Sequence, residues 1–333
     1  MNNFILRLLI VVLLIPTPFT SFTQSNEKNQ KYHIKKVNEN VYIFTEIWKY
    51  NSNANTGIVI GDDGVLIINT LMLSSAKDLE TEIKKITDKP ITYVMNSDSD
   101  VFNYHANKYF SDKGAKIISH ENLKYANTHT DIVFSTSISI KFGEEIITAY
   151  HNKAHTLDHI DIHLKRSNVI FMSDGFKGYW LTYVGPGGTK GVVQGIDKAL
   201  EIADNNTIIV SGNTSKKEQN FLNDKTDLEK VKKIHLKFSD RIGQLYKSGK
   251  TIQQISNDDK IHKILKSLEL YPKVKNNLST YIAHIIEVDY TQEFKLKNHQ
   301  LKDYVGTYKL NEKSTIKITL KDNKLYASED GNF

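Results

Sequence analysis

Four histidines recur at a constant interval, His151, His155, His159 and His163. Imidazole is the commonest side-chain ligand for transition metals, and on a helix this interval would align the four on one side. The residues between them argue against a helix: Ile160-Asp161-Ile162 alternates as a strand entered from a loop, so the four do not share a face. His151 and His163 then read as surface or strand residues. Ser74 and Lys77 form Ser-x-x-Lys, in which an amine could activate a hydroxyl nucleophile. The Ser-Asp-Asn and Lys-Thr-Gly elements that accompany such a serine are missing, which leaves a helix cap beside a solvated lysine. Gly185-Pro186-Gly187-Gly188-Thr189-Lys190-Gly191 has the glycine content of a phosphate loop but neither its spacer nor a directly preceding strand. Tyr179, Trp180 and Tyr183 just before it suit either contact with an apolar ligand or the packing of a lid.

The elements that would position these groups alternate. Val41–Thr45, Ile58–Ile60 and Val65–Ile68 read as strands, the last two joined by the turn Gly61-Asp62-Asp63-Gly64. Ser74-Ser75 offers a cap, and Ala76, Leu79, Ile83 and Ile86 follow at helical spacing. Pro90–Met95 is a strand, Asn107–Phe110 starts a helix stopped by Gly114, and Ala115–Ile118 is a strand again. Strand and helix in that order predict an α/β chain. Residues 132–174 are strand-rich, Gly195–Ala203 is helical and Thr207–Val210 is a last core strand. From Asp227 to Lys247 an amphipathic helix places Leu228, Val231, Ile234, Phe238, Ile242 and Leu245 on one stripe, closed by Gly249. Residues 251–294 read as a helical extension, and 295–333 as a small β-meander that stops just after the hairpin turn Asp330-Gly331, one strand short.

The 333 residues, 39% hydrophobic and 25% charged, exclude a disordered chain. The net charge of +6 comes from lysines interleaved with acids, a solvated surface and not a nucleic-acid groove. Arg7 followed by Leu8–Ile15, the breakers Pro16 and Pro18, and small Ser21 and Thr23 predict a signal peptide over 1–23 and a periplasmic or secreted protein without a permanent membrane span. The absence of cysteine rules out disulfides and a lipidated cysteine.

Over residues 32–250 the order of elements resembles the metallo-β-lactamase superfamily, whose signature His-x-His-x-Asp-His follows an apolar strand. Here the stretch is Asn96-Ser97-Asp98-Ser99-Asp100-Val101-Phe102-Asn103, with Asn96 and Asn107 anchoring both ends and Gly114–Glu121 following at the family's distance. The resemblance implies an αββα sandwich of two mixed sheets flanked by helices, its cleft at the strand ends. It places Asp98 and Asp100 at the two histidine positions, Phe102 at the aspartate and Asn103 at the last histidine. Asn69 stands for the strand-end aspartate, His155 for the third histidine, Asp174 for the bridging aspartate and Asn213 for the final histidine.

In the family two zinc ions lower the pKa of a shared water. Phe102 cannot ligate, and neutral amides at 103 and 213 are poor substitutes for imidazole, so the resemblance leaves the second zinc with Asp174 alone and argues against a dinuclear centre. Asp98, Asp100, His155 and Asp174 remain as an atypical single site, with either no ion or one divalent cation (Zn, Mn, Fe or Ca). Without an ion, clustered carboxylates repel, and a lysine or protonation must relieve them. His105 stands at a glycine position near the mouth or in solvent, His159 where the family has an aspartate, and His120 at a structural position. The glycine-bearing loop becomes a wall over the cleft with Tyr179 and Trp180. Two functions follow: a pseudo-hydrolase that binds a small molecule or envelope ligand, or a one-metal hydrolase of an ester, amide or phosphoester. Fold cannot name the substrate.

Overall fold

The computed structural model describes residues 31–48, 53–213, 222–268, 271–291, 297–309 and 315–330. The expected signal peptide and Gly331 of the closing turn lie outside them. Strands β1 (Tyr32–Lys36), β2 (Val41–Ile47), β3 (Asn53–Ile60) and β4 (Val65–Ile68) are antiparallel neighbours. Helix α1 (Leu73–Lys84) then crosses over to β5 (Ile91–Met95). The short helices α2 (Val101–Tyr104) and α3 (Asn107–Ser111) lead to β6 (Lys116–His120), and β7 (Ile132–Phe134) follows. From β4 to β7 the pairing is parallel, which completes a seven-stranded mixed sheet.

The second sheet has six strands: β8 (Ser137–Phe142), β9 (Glu145–His151), β10 (Ile160–Leu164), β11 (Val169–Ser173), β12 (Ile208–Ser211) and β13 (Leu222–Asn223). Helix α4 (Gly188–Ile202) makes the crossover between parallel β11 and β12, and α5 (Lys225–Lys247) follows β13. Every residue of β10 and β11 is buried, as expected for strands covered on both faces. Between the sheets Val59, Leu66, Ile68 and Met95 meet Ile147, Ile162, Val169 and Phe171. Outside the first sheet α1 and α3 contribute Leu79, Ile83 and Phe110 to one outer core, and outside the second α4 and α5 contribute Val192, Ile196, Val231 and Phe238 to another. The architecture is the αββα sandwich. Each buried aliphatic or aromatic side chain of the α5 stripe contributes about 1.5–3 kcal/mol, and the capping box of Asp224 and Asp227 starts that helix.

Helices α6 (Ile252–Ser256), α7 (Asp259–Leu265), α8 (Tyr271–Asn276) and α9 (Leu278–Ile285), with a π-helical turn Ile286–Tyr290, add Ile255, Ile261, Leu265, Val274, Ile282 and Ile285 to the same core as α4 and α5. Residues 251–291 thus share their apolar interior with Phe176 and Leu181, just after β11. After α10 (Asn298–Leu301), strands β14 (Gly306–Lys309), β15 (Thr315–Lys321) and β16 (Lys324–Asp330) form a separate antiparallel sheet, whose Tyr326 ring lies 6.2 Å from that of Tyr125. Among the described residues no helix is long and apolar enough to cross a membrane.

Two local expectations differ from the structure. Helix α1 starts at Leu73 without a side-chain cap, because Ser75 is buried and its hydroxyl donates to Glu46. The glycine-rich stretch is not loop throughout: from Gly188 onward it is the first turn of α4, closed by Asp289, whose carboxylate accepts from Thr189 N at 2.9 Å.

Candidate metal centre and cleft

The ends of β4, β5, β11 and β12 converge at one rim of the sandwich. Their backbones are tied there across the two sheets. Ser97 Oγ donates to Ser173 Oγ at 2.7 Å, Asn55 Nδ2 to Ser211 O at 2.7 Å, and Ile160 N to Ser97 O at 2.8 Å. Asn69, Leu71 and Ser173 all have left-handed backbone (φ 68°, 63° and 43°). That conformation is costly for a leucine and marks a turn held by its surroundings. Asn69 spends its carbonyl on Ser97 N at 2.9 Å, which shapes the turn after β5. Asn96 and Asn107 exchange side-chain amide hydrogen bonds of 3.0 and 2.8 Å and so pin both ends of the stretch that carries Asp98 to Asn103.

Asp100, His155 and Asp174 come together, with one potential ligand atom from each lying within 4.8 Å of the others. His155 Nε2 lies 3.1 Å from Asp100 Oδ2, and its Nδ1 lies 2.9 Å from the carbonyl of Tyr183. Burial resists a charge on His155, yet the bond to Asp100 and the nearby Asp174 and Asp98 carboxylates outweigh it and raise its pKa. Asp174 is fully buried, and its Oδ1 accepts from Asn213 Nδ2 at 2.9 Å and pairs with Lys177 Nζ at 2.9 Å. Burial also works against the Lys177 ammonium, and Asp174 more than offsets it. Among the described residues Asp174 Oδ2 has no hydrogen-bond partner.

Asp98 does not join this group of three. Its Oδ1 accepts from Asn103 Nδ2 at 2.6 Å and from Asp100 N at 3.0 Å, while its Oδ2 faces His159 Nδ1 at 3.5 Å. His159 is fully buried and turns its Nε2 to Asp161 at 3.2 Å. Burial disfavours its charge, but Asp161 and Asp98 push its pKa up to about 10. In turn, the His159 charge overcomes burial and holds Asp98 well below the usual carboxylate range. His159 thus sits in a buried Asp98–His159–Asp161 charge cluster.

The remaining expected residues are spread around the rim. Phe102 packs edge-on against Trp48, with ring centroids 5.2 Å apart, on the outer core. His105 is exposed and accepts from Leu73 N at 3.5 Å. Trp180 Nε1 donates to Tyr281 OH at 2.6 Å, and Tyr179 is half-buried on the same segment. His151 stacks on His120 at 3.8 Å. Ser74 and Lys77 are exposed on α1. Lys177, Asp161 and Trp48 were not singled out from sequence. The one available signal was that Lys177 lies three residues beyond Asp174, within reach of a turn.

The glycines before α4 and in its first turn act through close approach. A Cβ on Gly185 would stand 2.4 Å from the His155 carbonyl oxygen, and one on Gly191 2.6 Å from that of Lys153. We predict that Gly185→Ala pushes the His155 loop outward at a cost on the order of 1–3 kcal/mol, the range for overpacking. Thermal unfolding together with the His155 imidazole NMR shift checks this; an unmoved resonance and melting point would contradict it.

No protein-family model and no curated protein matches this chain. Solved structures do. A metallo-β-lactamase from Pontibacter korlensis matches with a TM-score of 0.55 at 16% identity, covering 62% of this chain and 99% of that enzyme. The metallo-β-lactamase IND-7 matches at 0.53 and 18% identity (63% and 100% covered), and DIM-1 at 0.51 and 16% (62% and 97% covered). The chain has the metallo-β-lactamase fold, at a large sequence distance from these enzymes.

The resemblance implies a pair of zinc ions, and the residues present do not fit a second one. Asn103 and Asn213 point amide donors at carboxylates, Phe102 stacks on Trp48, and Lys177 brings an ammonium to Asp174. The one imidazole and two carboxylates of Asp100, His155 and Asp174 do fit a single divalent cation.

Proposed function

We propose that this is an exported metallo-β-lactamase-fold protein that binds a small molecule or envelope component in the strand-end cleft and does not carry out dinuclear zinc hydrolysis. The observation that carries this reading is the ion pair of half-buried Lys177 with the fully buried Asp174: the positive charge that a further ion would bring is already supplied by the chain. His155, with its raised pKa beside Asp100, balances the other carboxylate. The hydrophobic run Leu8–Ile15 behind Arg7 supports export. Exposed Leu73 and Val101, the latter next to Asp100 in the chain, offer apolar surface to such a ligand.

A second reading has its own support: Asp174, one of the three candidate donors, keeps an Oδ2 with no hydrogen-bond partner among the described residues. On that reading one Zn, Mn, Fe or Ca ion sits on Asp100, His155 and Asp174, with Asp98 holding the Asp100 backbone, and activates water toward an ester, amide or phosphoester. Elemental analysis of the purified protein after incubation with zinc and manganese separates the two. The binder is expected to retain well under one equivalent. A full equivalent that is lost in His155→Ala would establish the one-metal site in its place, and two equivalents would overturn both readings.

A further inference from the structure

A groove of about 680 Å³ runs between α5 and α7 and shares no lining residue with the strand-end site. Lys230, Lys233 and Lys237 line it from α5. At spacings of three and four they form a stripe about 10 Å long on a helix rising 1.5 Å per residue. Lys260 and Lys263 face them from α7, Ile234 and Ile264 also line the groove, and Glu229 is the one acid among its lining residues. Among the described residues none of the five lysines is in an ion pair, although the neighbouring Lys232 pairs with Asp197 and Arg241 with Asp258. Of the acids on α5 and α7, Asp258 caps α7, and Asp224 and Asp227 cap α5. A concave surface lined by one sign of charge concentrates the field within it.

We propose that this groove binds a soluble linear anion bearing several phosphate groups. Lysines are point charges, and their spread over about 10 Å along α5 exceeds what one phosphate can engage, so charge complementarity calls for several anionic centres in a row. The size suits a ligand that enters the groove and not a bilayer face, which needs no concavity. No aromatic ring lines it, so it lacks the stacking platform on which single-stranded nucleic acids are held.

The test is calorimetric titration of the full chain with inorganic tripolyphosphate, orthophosphate, and phosphatidylglycerol vesicles. Tripolyphosphate is expected to bind at a single site, at least about tenfold more tightly than orthophosphate, with affinity falling as salt rises. Lys233→Glu combined with Lys263→Glu should weaken it by about tenfold or more, and Lys77→Glu on α1 by less than about twofold. Should the double reversal fail to fold, Lys233→Gln with Lys263→Gln removes the same charges more gently and is expected to weaken binding in the same direction. Absence of tripolyphosphate binding, equal affinity for orthophosphate, equal loss in Lys77→Glu, or binding to vesicles alone would each overturn the proposal.

Discussion

His159→Ala is expected to cost on the order of 3–5 kcal/mol of folding stability, the range for breaking a buried ion pair from one side. It removes the only imidazole between Asp98 and Asp161 and leaves two buried carboxylates with no cation between them. The pH dependence carries a signature. The folded pKa of His159, about 10, lies above its ordinary 6.5, so its contribution is complete below about pH 6.5 and is lost as pH rises toward 10. Asp98 runs the other way: held below its ordinary 3.8, it contributes above about pH 4 and loses that contribution in acid. Urea unfolding of the parent protein should therefore show stability falling by a few kcal/mol between about pH 7 and 10, a decline absent from His159→Ala. Parallel curves for the two proteins over that range would refute a charged His159.

Lys177→Ala should be nearly as damaging and, unlike the first change, repairable. It strips the ammonium from the fully buried Asp174, which keeps only the Asn213 amide. In metal-free buffer a loss of about 3 kcal/mol is expected for the orphaned carboxylate. Added manganese or zinc should restore much of it by binding the folded state, with affinity raised at least about tenfold over the parent chain. Melting curves with and without metal, and calorimetric titration of the ion, read both effects. A variant that loses little stability and gains no affinity would show that Lys177 does not substitute for a cation.

These two residues also mark where sequence reasoning stops. The αββα layering was legible because its signals are local and periodic: the alternating strands, the α5 stripe and the glycine stops at 114 and 249 all appear where expected. The two asparagines expected to anchor the signature stretch, Asn96 and Asn107, do bond to each other. Charge partnership was less accessible. Asp98 and Asp100 are two residues apart, yet one turns inward to His159 and the other to His155, a division set by the turn that Asn69 holds. Nor does a lysine three residues after an aspartate announce that it is half-buried; packing around the wall segment decides that. The start of α4 was missed because its glycines resemble loop residues, whereas in the folded chain they let the helix lie against the 153–155 backbone.

The wall segment is held from behind at several points. Trp180 bonds Tyr281, Tyr183 stacks on His284 at 4.2 Å, and His284 Nε2 lies 2.7 Å from the Val184 carbonyl. Because the Tyr183 carbonyl also orients His155, α9 is coupled to the three-donor cluster through the wall segment. On the proposed binding function, exchanges on α9 would tilt the His155 ring and so retune selectivity at a distance, with every residue of that cluster unchanged.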